Sequence, residues 1–338
     1  MGARAHEKPI VAVLSTPEEG RPPGLESLEA EAELRFATDL EGLIEAVADA
    51  DVLLVTDFRT TIARDAWPHA RRLQWVHATS AGVDAILFPE MQDSEVPVTN
   101  ARGIFDRGIA EMVLGYILTF AKDLHGSLRL QQAHRWRHRD TERIDGRRLA
   151  VVGAGSIGRE IARLTRAAGM DVVGVARHGR TDDPDFSAVY ASERMHFALA
   201  GADFVVVAAP LTDATRGLFD RSAFAAMKPG SRFVNIGRGP IVKTADLVDA
   251  LQSGHLGGAA LDVFEEEPLP ADHPLWDMPQ VIVTAHMAGD FIGWREALSR
   301  QFIANFHRWR KGEPLVNLID KQRGYGTRQH PENTQNDP

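Results

Sequence analysis

The feature that most constrains this 338-residue chain is a series of short, unbroken apolar runs rich in β-branched residues, each followed by a stretch of helical periodicity. "PIVAVLS", "DVLLVT", "LQWVHATS" and "VPVTN" come first; "RLAVVGAG", "DVVGVA", "FVVVAAP", "RFVNI", "GAALDV" and "VIVTAH" follow. A strand with one wetted face alternates apolar and polar residues. These runs do not alternate, so both of their faces must be covered. Helices on either side of a parallel sheet provide that cover, and the expected fold class is therefore α/β, with two doubly wound parallel-sheet domains. Between the two groups, Ile109, Met112, Val113, Tyr116, Ile117, Phe120 and Leu124 recur at helical spacing and predict one helix of several turns leading from the first sheet to the second. A further helix is expected over "WREALSRQFIANFHRWRKGEPL", ended by Gly312 and Pro314. The polar residues 321–338, with Gly and Pro among them, read as a disordered tail.

Charge and composition narrow the partners. A net charge of -9 argues against a nucleic-acid surface or an anionic membrane, so any bound anion must be met by a local cluster of Arg. No apolar run is long enough for a bilayer and the N-terminus lacks a signal-peptide core, so a cytoplasmic protein is expected. There is no cysteine, which removes disulfides, thiolate nucleophiles and thiolate metal ligands. His134 and His138 stand at a spacing that mimics a metal pair on a helix. They lack a carboxylate partner, Arg135, Arg137 and Arg139 crowd them, and no metal is expected.

"LAVVGAGSIGREIARL" sets Gly153, Gly155 and Gly158 between a strand and a helix. The first glycine permits the tight turn, the second lets backbone approach a pyrophosphate, and the third lets helix and strand pack closely. N–H groups at Ser156, Ile157 and Gly158, backed by the helix dipole, would hold the phosphates. The competing reading is a glycine-rich structural turn. About 20 residues on, where an NAD-binding strand ends in an acidic residue, stand Ala176, Arg177, His178, Gly179 and Arg180. Losing a carboxylate and gaining guanidinium groups favours the 2'-phosphate of NADP(H) over NAD(H), with Arg177 and Arg180 as its partners, unless both are merely solvated.

Three later blocks carry the candidate chemistry. "NIGRG" puts Arg238 between glycines just past a strand, "ALDVFEEEPLP" puts Asp262 at a strand end and Glu267 before a proline, and "VIVTAHMAG" puts His286 at another strand end. In an open α/β sheet, ligands bind where such ends converge. Singly, each has an ordinary explanation: a satisfied histidine, a loop-bridging arginine, a solvated acidic turn.

In this order, together with "ATSAGVD", "NARG", "IAE" and "PLTDATRGL", these blocks make nearly the whole chain resemble the D-isomer-specific 2-hydroxyacid dehydrogenases, which include glyoxylate/hydroxypyruvate reductases. The resemblance implies a Rossmann cofactor domain (101–289) inserted in a flavodoxin-like substrate domain (1–100 and 290–320), an active site in the cleft, and a homodimer. It implies catalytic roles for Arg238, Glu267 and His286, and a carboxylate-binding turn at Ser80, Ala81 and Gly82. It also implies cofactor contacts at Pro210, Thr215, Ile236, Gly237, Asp262 and His286. The reaction implied is hydride transfer between NAD(P)H and a 2-keto acid or D-2-hydroxy acid, with His286 as general acid/base. Histidine suits that proton transfer near neutral pH, a carboxylate beside it fixes its orientation, and a guanidinium grips a carboxylate better than an ammonium does.

The chain departs from the commonest family pattern at Ala285, where Pro is frequent, and at Ala209, where His is often found. Phe58, Trp136, Phe291 and Trp294 are candidates for an apolar substrate wall. Two alternatives share the scaffold: a nucleotide-sensing corepressor-like binding protein, and a formate- or phosphite-type dehydrogenase. Formate enzymes carry Gln where Glu267 stands.

Overall fold

The computed structural model describes residues 8–56, 60–84 and 86–326. The chain forms two compact units: Met1–Ile104 with Ile292–Pro338, and Phe105–Phe291, which lies between those segments in sequence.

The first unit holds β1 (Ile10–Leu14), β2 (Glu33–Ala37), β3 (Val52–Val55), β4 (Trp75–Ala78) and β5 (Val98–Asn100), all parallel, in the order β2-β1-β3-β4-β5. That is the flavodoxin-like order. Successive residues of β1 serve opposite faces: Ala12 and Leu14 join one buried cluster, Val11 and Val13 the other. This is why the run does not alternate. The second cluster is closed by the helix Trp294–Arg310, whose Phe302 stacks on Trp75 at 5.2 Å between ring centroids. Gly312, at φ 68, follows that helix as expected.

The end of this unit corrects one expectation. Residues 321–326 are folded: β13 (Ile319–Asp320) pairs with β14 (Tyr325–Gly326) in a hairpin. The Asp320 side chain accepts from Gln322 N and Arg323 N, both at 3.1 Å. Lys321 Nζ donates to the carbonyls of Met91, Ser94 and Val96. Composition marked this segment as polar, but its polar groups are satisfied within the fold. Residues 327–338 lie outside the described residues.

The second unit holds β6 (Arg148–Val152), β7 (Asp171–Ala176), β8 (Ala188–Ala191), β9 (Phe204–Val207), β10 (Arg232–Asn235), β11 (Gly258–Leu261) and β12 (Val281–Val283). Every pairing is parallel and the order is β12-β11-β10-β9-β6-β7-β8. The order reverses direction between β6 and β9, and all seven strands end at one edge of the sheet. A nucleotide site belongs at that reversal. Two apolar clusters cover the faces, with Leu149 and Val151 in one and Ala150 and Val152 in the other.

The expected single helix is two. Asp106–Ala121 buries Ile109, Val113, Tyr116, Ile117 and Phe120, but Asp123 sits at φ 46 and caps a new helix, Leu124–Gln132, by accepting from Gly126 N. Leu124 is therefore exposed. The new helix ends before His134, so the helical spacing of His134 and His138 is not realised. No helix among the described residues is long and apolar enough to cross a membrane.

Candidate active site

At the β6 end the three glycines differ in what surrounds them. Gly153 has φ 111, and a Cβ there would lie 2.5 Å from the backbone of Ala208 and Ala209 at the end of β9. A Cβ on Gly158 would overlap the Gly153 carbonyl oxygen. Around Gly155 nothing comes within 4 Å. The first and third glycines are thus fixed by packing, while the second faces open space where backbone can meet a ligand. The helix Ser156–Ala167 begins there with Gly155 at its N-cap and no side-chain cap. Its first N–H groups and dipole suit a pyrophosphate, so the residues present fit a dinucleotide.

Past β7 the two arginines diverge. Arg177 is exposed. Arg180 turns onto Asp183, with Nε to Oδ2 at 2.5 Å, and its backbone bridges to Val189. Asp183 is also gripped by both terminal nitrogens of Arg159, at 2.9 and 2.7 Å. Burial alone would raise the Asp183 carboxyl, but the hydrogen bonds from Arg159 and Arg180 outweigh it and hold it far below the usual carboxylate range. The bond from Arg180 Nε to Asp183, three residues away, was not foreseen from the sequence.

The candidate catalytic residues all lie in the second unit. Glu267 Oε2 is 2.7 Å from His286 Nδ1, and Glu267 Oε1 accepts from Phe264 N at 2.9 Å. Partial burial pushes the Glu267 carboxyl up. The bonds from His286 and the Phe264 N–H, with the charges of His286 and Arg238, more than reverse this and leave it below its ordinary value. Glu267 is thus an ionised acceptor that fixes the imidazole by Nδ1. Arg238 follows β10, its backbone carbonyl accepting from Asn235 Nδ2 at 3.2 Å and its Nη1 donating to Gly237 O at 3.0 Å. A Cβ on Gly239 would overlap the Phe264 backbone, so glycine lets the Arg238 loop press against the loop that carries Glu267.

His286 has φ 50, a left-handed conformation that costs a residue with a Cβ about 1 kcal/mol or more. Asp262 holds it there. The His286 N–H donates to the Asp262 carbonyl at 2.8 Å, and the Asp262 carboxylate accepts from Met287 N, Ala288 N and Thr284 Oγ1 at 3.0, 2.9 and 2.5 Å. Asp262 is only 2% exposed, so the side chain read as a nicotinamide contact is turned inward on the histidine loop. Ile236 and Gly237 are buried, and the Gly237 N–H is taken by Asn235 Oδ1. Thr215 Oγ1 donates to Pro210 O at 2.7 Å and accepts from Thr212 N, closing its own turn. Sequence reasoning missed Asn235, Thr284 and Tyr116. Their signal is positional only, since each acts through a partner brought close by the sheet.

In the first unit, Ser80 Oγ donates to Gly82 O, Asn100 Nδ2 donates to Ala81 O, and Ala101 N donates to Ser80 O. The carbonyls of this turn are tied back by its neighbours. Of the candidate aromatic wall, Trp136 and Phe291 are exposed, Trp294 is half-buried, and Phe58 lies outside the described residues. Among the described residues no group of three His, Cys, Asp or Glu is arranged to hold a metal.

A family model described as "D-isomer specific 2-hydroxyacid dehydrogenase, NAD binding domain" matches residues 114–288, just over half of the chain and within the second unit. The chain belongs to the D-isomer-specific 2-hydroxyacid dehydrogenase family. It is 33% identical over 263 residues to glyoxylate/hydroxypyruvate reductase A of Serratia proteamaculans, covering 75% of this chain and 82% of that one. The structure of an NADPH-dependent glyoxylate/hydroxypyruvate reductase from Sinorhizobium meliloti, in complex with NADP and sulfate, superposes with a TM-score of 0.82 at 28% identity, covering 94% of this chain and all of that one. A family member from Xanthobacter autotrophicus, in complex with NADPH and MES, gives 0.81 at 30% identity with the same coverage. This dehydrogenase is accordingly an oxidoreductase that binds a nicotinamide dinucleotide and acts on small 2-keto or 2-hydroxy acids. The corepressor-like alternative is not favoured.

Proposed function

We propose that this dehydrogenase reduces a small 2-keto acid with NADPH, His286 acting as the general acid. The observation that carries the reading is the 2.7 Å bond between Glu267 and His286 Nδ1. With Nδ1 committed to an ionised carboxylate, proton exchange with substrate falls to Nε2, and the ring is held in one orientation. Arg238 holds the substrate carboxylate and polarises the adjacent carbonyl. In the first unit, the Ser80–Gly82 turn offers backbone N–H groups to a carboxylate. When bound, the reduced nicotinamide supplies the hydride. His286 protonates the resulting oxygen, and in oxidation it takes that proton back.

NADP(H) is preferred because Ala176 leaves no carboxylate to repel a 2'-phosphate and Arg177 follows it at the surface. The relatives with NADP or NADPH bound support this. The preference is assigned to Arg177 and Arg180, the second of which also bonds Asp183 through Nε. The segments Met1–Ile104 and Ile292–Pro338 form the substrate domain, Phe105–Phe291 forms the cofactor domain, and two copies assemble as a cytoplasmic homodimer. Glyoxylate and hydroxypyruvate are the first substrates to try, since similar reductases are named for them.

The test mixes protein, NADPH or NADH, and a panel of glyoxylate, hydroxypyruvate and bulkier 2-keto acids, following the nicotinamide absorbance. His286→Ala should cost about 10² to 10⁴ in turnover while NADPH still binds. Loss of binding together with turnover would make His286 structural, and a parent protein inert toward every acid would overturn the reading.

A further inference from the structure

We infer that Tyr116 and Thr284 are positioning residues for His286 and act on it through Asp262. The Tyr116 hydroxyl lies 2.6 Å from Thr284 Oγ1, and Thr284 Oγ1 donates to Asp262 Oδ1 at 2.5 Å. The Asp262 carboxylate is acceptor to three donors at once. Thr284 therefore spends its only hydroxyl proton on Asp262, and the bond between Thr284 and Tyr116 must be donated by the phenol. The three groups form a directed relay, Tyr116 O–H to Thr284 O–H to Asp262, ending on the backbone N–H groups of Met287 and Ala288. Those N–H groups belong to the two residues that follow the left-handed His286, which carries the imidazole.

The relay joins separate parts of the unit. Tyr116 lies in the helix Asp106–Ala121, Asp262 follows β11, and Thr284 follows β12. Tyr116 is 4% exposed, and burial pushes its phenol up to about 12, so it keeps its proton and stays a donor throughout the working pH range. A carboxylate whose oxygens are shared among a hydroxyl and two amides fixes its own torsion, and with it the turn through His286. Without the hydroxyls, Asp262 can rotate and the imidazole loses its single orientation toward the substrate oxygen.

The inference rests on the reading of His286 as the acid, and the experiment separates the two. Thr284→Val keeps the shape and removes the hydroxyl; Thr284→Ser restores it; Tyr116→Phe keeps the ring and removes the first donor. Steady-state kinetics with NADPH and the best keto acid, beside NADPH binding and thermal melting, should show kcat down about tenfold in Thr284→Val and several-fold in Tyr116→Phe. The KM for NADPH should be unchanged, and Thr284→Ser should return to within about twofold of the parent. Unchanged kcat in both hydroxyl-deleted variants, or equal loss in Thr284→Ser and Thr284→Val, overturns the relay. If Thr284→Val does not fold, Tyr116→Phe alone decides. Should His286→Ala retain turnover, the acid assignment itself falls, whatever these variants do.

Discussion

Replacing His77 with phenylalanine should make this dehydrogenase more resistant to acid while changing little at neutral pH. His77 is fully buried in β4, its ring 5.8 Å from that of Trp75 and 5.5 Å from that of Phe302 between centroids. Thr99 Oγ1 accepts from Trp75 Nε1 at 2.8 Å and also lies 2.8 Å from His77 Nδ1. The other ring nitrogen, Nε2, meets no partner among the described residues. Burial pushes the imidazole from 6.5 down to about 3. The folded protein keeps His77 neutral down to about pH 3, whereas the unfolded chain takes up its proton below pH 6.5. Stability is thus complete above pH 6.5 and is lost progressively as pH falls toward 3. Between pH 7 and pH 4 this group alone costs about 3 kcal/mol. His77→Phe removes that dependence and forfeits one hydrogen bond of about 1 kcal/mol. Urea unfolding of parent and variant at pH 7, 6, 5 and 4, followed by tryptophan fluorescence, isolates the effect because the other titrating groups are common to both. The stability of the variant minus that of the parent should rise by about 3 kcal/mol toward acid. Parallel pH dependences would mean that His77 is not held neutral in the core.

The glycine turn gives a paired expectation. Gly155→Ala should melt like the parent yet weaken NADPH about tenfold or more, while Gly158→Ala should lose both stability and NADPH affinity, because only the second Cβ meets backbone. Fluorescence titration with NADPH beside thermal melting checks both, and an unstable Gly155→Ala would refute the distinction. Arg177→Ala should weaken NADPH by about 10- to 100-fold and NADH hardly at all, read as the two KM values. Equal effects on the two cofactors would remove Arg177 from the 2'-phosphate. Arg238→Lys should raise the keto-acid KM by about tenfold and lower kcat, since an ammonium cannot grip a carboxylate in two places. Indifference would take Arg238 out of the substrate site.

What the amino-acid order made legible follows burial. Ten strands were readable as largely apolar runs, because most of their positions are buried and few polar side chains can stand there. β2 and β8 were not readable. Both lie at sheet edges, where Glu33 and Arg35 interrupt one, and the short "AVYA" of the other follows a polar loop. At the candidate site, Gly153, Arg238 and His286 stood out because each follows a strand, Gly158 because it completes the glycine spacing, and Glu267 because it precedes a proline. Tyr116 did not: its periodicity marked it as core, and its hydroxyl partner lies 168 residues away. The charge of Arg180 was visible, but the bond from its Nε to Asp183 was not, since nothing in the order of residues marks that acid as buried. Leu124 fitted the helical spacing by coincidence, since the left-handed Asp123 restarts the helix one residue earlier.

The stacking of Phe302 on Trp75 bears on the order in which the molecule can be made. A ribosome has released β1 to β5 long before the aromatic ring that seals one face of their sheet exists, and the Lys321 ammonium that ties residues 91–96 comes later still. The intervening unit is continuous in sequence and can complete its own core first. The early strands must therefore wait, with the indole of Trp75 uncovered, until Phe302 has emerged more than two hundred residues later.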